Sequence, residues 1–171
     1  RFRQWLPRIE ALDASNNTAL ESLRCDNNKI TRLEISDNAT LTTLNCENNQ
    51  LTTFNISNNT ALTNLSCYGN QLKTLDLSNN AALKYLYCGS NELTTLDVST
   101  NTALEELYFF NNTLKAVDVS KNTALKELNC QENQITTLDI STNTALEYLH
   151  CGSNYLTSLD VSNNTVLKEV Q

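Results

Sequence analysis

The chain is poor in the residues that interrupt regular structure, with three glycines and one proline among 171 residues. It also has no methionine, one tryptophan and one histidine, and only 6% of it is aromatic. So few glycines and prolines exclude a flexible linker or a polyproline spacer. With no CxxC pair and no Cys/His cluster, zinc ligation lacks its spacing. No apolar run approaches the roughly 20 residues of a membrane-spanning helix. Lys and Arg total 12 against 19 Asp and Glu, a formal charge of −7, which argues against a generic nucleic-acid surface. Half of the basic residues, Arg1, Arg3, Arg8, Arg24, Lys29 and Arg32, crowd the N-terminal end, where a solvated capping end is expected.

What the sequence does have is repetition. Cys25, Cys46, Cys67, Cys88, Cys130 and Cys151 stand one 21-residue period apart, and Phe109 fills the one double interval. A register this regular marks one small unit copied along an axis. An apolar content of 40% suffices for a continuous interior in a chain of single-domain length.

The copy from Leu62 to Ala82 reads LTNLSCYGNQLKTLDLSNNAA. Counted from its first Leu, positions 1, 4, 6, 11, 14 and 16 are apolar and positions 9 and 19 are Asn. The unit is nested: L-x-x-L-x-C-x-x-N is followed by L-x-x-L-D-L-S-x-N. Alternation at positions 4 and 6, and again at 14 and 16, is the period of a strand with one face buried. Neither half has room for a helix. The expected coil is a flattened solenoid turn, with a parallel strand on one side and a second extended segment on the other. Coils spaced about 4.8 Å apart, about eight of them, make a rod on the order of 40 Å long.

Residues 1–19 fit the register loosely and read as an N-terminal cap or degenerate repeat, with residues 20–171 as the solenoid. In the first of these segments Gln4 stands in the cysteine file, Pro7 replaces an Asn, and Phe2, Trp5, Leu6 and Ile9 could line a short helix. The chain opens at Arg1 without methionine and stops at Gln171 early in a repeat. It therefore reads as a processed or excised fragment, truncated at its C-terminus, whose address signals lie elsewhere.

Asn28, Asn49, Asn70, Asn91, Asn112, Asn133 and Asn154 end the first half of each coil, and Asn17, Asn38, Asn59, Asn80, Asn101, Asn122, Asn143 and Asn164 end the second. A turning backbone leaves N–H and C=O groups unpaired, and an inward amide carries the donors and acceptor to satisfy them. The cysteines lie two residues after an inward Leu, so they should fill the core as free, inert thiols. Phe109 in mid-file supports packing over chemistry. A disulfide between neighbouring coils would need Cβ atoms at about 3.8 Å, closer than in-register parallel strands hold them. His150 and Cys151 are adjacent, but consecutive strand residues face opposite ways, which spoils a nucleophile–base pair. Ser78, Ser99, Ser120, Ser141 and Ser162 recur in every coil beside Asp76, Asp97, Asp118, Asp139 and Asp160. A flat row of acids offers too few oxygens for Ca²⁺, so hydrogen bonds from neighbouring hydroxyls are expected instead.

The repetition breaks at coil positions 3, 5 and 7, which face outward. Early coils place Ser22, Arg24, Asp26, Thr43, Asn45 and Glu47 there, whereas central coils place Tyr68, Tyr85, Tyr87, Glu106, Tyr108 and Phe110, and Tyr148 and His150 extend the patch. Gly89 falls between Tyr68 and Phe110 and should leave a notch able to admit a ring or side chain. Aromatic side chains offer large rigid area with a polar handle, so this patch is the expected binding site.

The segment LTNLSCYGNQL, Leu62 to Leu72, resembles the LxxLxLxxNxL signature of the leucine-rich repeat family, with Cys67 in the third apolar place. The 21-residue nested unit is similar to a bacterial, loosely internalin-like class. The resemblance implies a β-rich solenoid with its parallel sheet on the concave side, and a non-catalytic protein-binding scaffold without cofactor or metal. It further implies a secreted or cell-surface location. Two other readings accompany it: a carbohydrate-binding surface, and a structural spacer that self-associates or docks through its C-terminal coil at Leu167 and Val170.

Overall fold

The computed structural model describes residues 8–171. The expected apolar helix face of Phe2, Trp5 and Leu6 lies outside these residues. The strands are short: β1 (Ala11–Asp13), β2 (Ser22–Arg24), β3 (Arg32–Glu34), β4 (Thr43–Asn45), β5 (Asn64–Ser66), β6 (Tyr85–Tyr87), β7 (Glu106–Tyr108), β8 (Glu127–Asn129), β9 (Tyr148–His150) and β10 (Glu169–Val170). No helix is found among the described residues. All the strands but β1 and β3 form one eight-stranded parallel sheet, in the order β10-β9-β8-β7-β6-β5-β4-β2.

The register equals the repeat: Leu44 pairs with Leu65, Leu65 with Leu86, and Leu86 with Leu107. Identical positions therefore stack as files running along the rod. The middle residue of each strand from β4 to β9 is a buried Leu, flanked by partly exposed neighbours, as a one-sided sheet requires. Beyond the strand, the next residue carries the bonding on: the Cys67 N–H donates to Tyr87 O at 2.9 Å and the Cys88 N–H to Tyr108 O at 2.8 Å.

On the opposite side, β1 and β3 pair in parallel, Leu12 against Leu33. Further along, that side runs as extended backbone held between coils by bonds such as Gln71 N–H to Leu51 O and Glu92 N–H to Leu72 O, each 2.9 Å.

The cysteines occupy the core. All six are free, five are buried, and Cys151 near the C-terminal end is half-buried. Phe109 in the same file is fully buried. Burial, the main cause, pushes the Cys25 thiol up to about 11 and those of Cys88 and Cys130 up to about 12. These groups stay protonated and unreactive at neutral pH.

Both turns of each coil depend on asparagine. Asn70 Nδ2 donates to the carbonyls of Cys46 and Cys67 at 3.0 Å, while its Oδ1 accepts the Leu51 N–H at 3.0 Å. Asn80 in the second turn donates to Ile56 O at 3.1 Å and Asn59 O at 2.9 Å. Its Oδ1, like those of Asn38, Asn59, Asn101, Asn122, Asn143 and Asn164, is buried without a partner. On the second face, Asp76, Asp97, Asp118, Asp139 and Asp160 each accept a bond from the backbone N–H of the Ser two residues on, at 2.8–3.0 Å. The Ser hydroxyl and then this backbone bond hold the Asp76, Asp97, Asp118 and Asp139 carboxyls below the usual carboxylate value, and the backbone bond and then the hydroxyl do so for Asp160.

Candidate functional site

A strand of three residues turns its first and third side chains outward and its middle one inward, so β5 to β9 display two parallel rows. Register places Tyr85, Glu106, Glu127 and Tyr148 in the first row and Tyr87, Tyr108, Asn129 and His150 in the second. A third row, two residues further along each coil, holds Tyr68, Gly89 and Phe110. Neighbours within a row are about 4.8 Å apart at the backbone, within reach of aromatic side chains.

The rings interlock. Tyr87 meets Tyr108 edge to face, with centroids 5.1 Å apart and planes at 88°. The Tyr87 hydroxyl donates to Glu106 Oε2 on the next strand, and the Tyr108 hydroxyl donates to Glu127 Oε2 one strand further. Burial, and then these carboxylates, raise both phenols above their ordinary value, so each hydroxyl keeps its proton and remains a donor. Tyr68, Tyr85, Tyr87, Tyr108 and Phe110 are all half-buried, four of them in ring pairs.

The notch expected at Gly89 is closed. A Cβ built there would meet Phe110 Cδ1 and Cε1 at 2.9 Å, because the Phe110 ring lies on the Gly89 backbone. Tyr68 leans over from the other side, its centroid 5.6 Å from that of Phe110 and its plane tilted by 35°. Without a side chain at position 89, the neighbouring aromatic settles into the space instead of leaving it for a ligand.

Tyr148 and His150 do not join this cluster directly. Glu127 and Asn129 on β8 stand between them and β7. Tyr148 lies under the Lys168 ammonium, 5.6 Å from its ring centre, and His150 Nδ1 is 3.1 Å from Gln171 Oε1. His150 thus sits on the outward surface while Cys151 turns into the core file, as strand alternation requires.

Sequence reasoning overlooked Glu127. The signal was present in the diagonal pattern Tyr87–Glu106 and Tyr108–Glu127, each pair separated by 19 residues. It also overlooked Tyr155, the most exposed large hydrophobic residue among those described, at 66%, which lies after the first turn of the last complete coil. Beside the aromatic rows runs a file of alternating charge, Lys84, Glu105, Lys126, Glu147 and Lys168. Glu105 is 3.8 Å from Lys84 and 2.6 Å from Lys126, and Glu147 is 2.6 Å from Lys168. No group of three or more His, Cys, Asp or Glu suited to a metal ion occurs among the described residues.

Residues 123–169 match the family model for leucine-rich repeats in two copies. No curated protein matches the chain. The functional domain of InlJ from Listeria monocytogenes, described as including a cysteine ladder, is 35% identical with a TM-score of 0.74, over 95% of this chain and 41% of that one. A leucine-rich repeat protein of Leptospira interrogans is 27% identical with a TM-score of 0.82, over 88% of this chain and 42% of its own. Internalin C2 of Listeria monocytogenes shares the fold at 21% identity and a TM-score of 0.71, over 90% of this chain and 81% of that one. The chain spans about two-fifths of the length of the first two structures.

Proposed function

From the premise that the chain is a leucine-rich repeat protein of the internalin-like kind, we propose that it is a non-catalytic protein-binding scaffold of a bacterial surface or secreted protein. The binding surface in this reading is the outward face of β5 to β9. The observation that carries it is the aromatic patch of Tyr68, Tyr85, Tyr87, Tyr108 and Phe110, with Tyr68 paired to Phe110 and Tyr87 to Tyr108, on a face whose earlier coils carry polar and charged side chains. Rings held by one another and by the Tyr–Glu bonds have little rotamer freedom left to lose on association. Tyrosine is enriched among the few residues that dominate the energy of protein interfaces, and aromatic rings bury large areas there.

The same geometry weighs against a carbohydrate platform, which needs ring faces lying flat beside one another. Tyr87 and Tyr108 stand at 88°. The bacterial origin of the similar structures supports the proposed location.

The test compares wild type with a Tyr85→Ala, Tyr108→Ala double variant against protein domains selected by display on the wild-type chain, with a glycan array run in parallel. The expected result is an affinity loss of at least about tenfold in the variant, with its melting cooperative, since hot-spot aromatics are worth about 2 kcal/mol or more each. Selected domains that bind both proteins equally, or binding confined to glycans, would sink the proposal.

A further inference from the structure

The aromatic face carries charge of one sign. Along its three outward rows from Thr43 to Gln171 the charged side chains are Glu47, Glu106, Glu127 and Glu169, with no Lys or Arg. The lysines of the bordering file, Lys84, Lys126 and Lys168, are paired with Glu105 and Glu147, and Lys168 also reaches over the Tyr148 ring at the end of the row. Among the described residues the ion pairs involve Glu34, Glu105 and Glu147, and none reaches Glu106 or Glu127.

Glu106 and Glu127 are direct partners across β7 and β8. Like charges opposed in register destabilise a sheet. Each carboxylate accepts a tyrosine hydroxyl at Oε2, which leaves Oε1 of both open to a partner. Tyr85 and Tyr148 close the row at its two ends, and Tyr87 and Tyr108 flank it. Two half-buried carboxylates set among four tyrosines are complementary to one kind of group, a cation with an apolar stem. An ammonium or guanidinium would relieve the Glu–Glu repulsion and find ring faces beside it. A bare metal ion fits poorly, since such an ion needs more oxygens than this row supplies.

Resting on the protein-binding reading above, we propose that the occupant of the Tyr85–Glu106–Glu127–Tyr148 row is a lysine or arginine side chain of the protein partner, so that the scaffold selects basic segments.

The experiment selects peptides from a random-sequence display library on the full chain. It then measures their affinity for wild type, for a Glu106→Gln, Glu127→Gln variant and for the Tyr85→Ala, Tyr108→Ala variant. Glutamine still accepts the tyrosine hydroxyls, so the first variant removes charge while leaving the rings in place. The expected outcome is a pool enriched in Lys and Arg whose affinity falls at least about tenfold in the glutamine variant, and falls again as salt is raised. The glutamine variant should meanwhile melt no lower than wild type, because a like-charge pair has been removed; a purely structural role for these carboxylates would lower it. Peptides that need the tyrosines but show no basic enrichment, or that bind the glutamine variant as tightly as wild type, overturn the cationic assignment and leave the scaffold reading standing. Failure of any peptide to depend on the tyrosines overturns both.

Discussion

Asn70 and Asn80 occupy equivalent places in the two halves of a coil, yet their amides are used differently. Asn70 shares its Nδ2 protons between the previous turn and its own, and its Oδ1 takes a backbone N–H. Asn80 donates to two carbonyls, and its buried Oδ1 takes none. Removing Asn70 orphans buried groups of both kinds, whereas removing Asn80 also removes an atom that was already costly to bury. Asn70→Ala should therefore cost about 3 kcal/mol and Asn80→Ala about 1–2 kcal/mol, read from urea midpoints at constant m-value. Equal losses would show that the two ladders contribute alike. At the same scale, Phe109 explains why the cysteine file tolerates a gap: the position needs an apolar filler, and sulfur chemistry has no part in it.

At the scale of the element, each of β2 and β4 to β9 is followed by a turn in which the second residue after the cysteine file adopts left-handed backbone: Asn27, Asn48, Gly69, Ser90, Asn111, Glu132 and Ser153, with φ between 50° and 67°. Asn and Gly accept this conformation at little cost, while Glu does not. Glu132→Gly should raise stability by about 0.5–1 kcal/mol in chemical denaturation. Gly69→Ala should lower it by about 1 kcal/mol, since its Cβ would also sit 2.5 Å from Asn48 Oδ1. The reverse order would mean that these turns are not what limits the coil. The alternation of the sequence located every strand of the main sheet, because a buried Leu between two outward residues has one solution. The same alternation at positions 14 and 16 placed an extended segment on the second side; it did not show that, beyond the β1–β3 pair, this segment would be held between coils by single backbone bonds instead of a continuous ladder.

Across the whole molecule, stability follows the stack. Central coils bury the Leu at the middle of each main-sheet strand completely, from Leu65 to Leu149, whereas in the last coils Val161, Val166 and Val170 are 38%, 47% and 48% exposed. A solenoid is a row of units stabilised by neighbours, so native-state hydrogen exchange should show opening free energies rising from near zero at the Lys168 and Gln171 amides to the global value at those of Cys67, Cys88 and Phe109. Uniform protection along the rod would instead indicate a single cooperative block. The sequence by itself determined the repeat, the register and hence which side chains point in or out, because a 21-residue spacing with period-two alternation leaves one way to stack. It identified the aromatic residues of the outward face by the same logic. Only the tertiary structure decided how those residues meet. Phe110 lies on Gly89, and Tyr87 and Tyr108 reach the glutamates of the next coil, because these contacts join residues 19 to 21 positions apart and depend on ring orientation, which no spacing encodes.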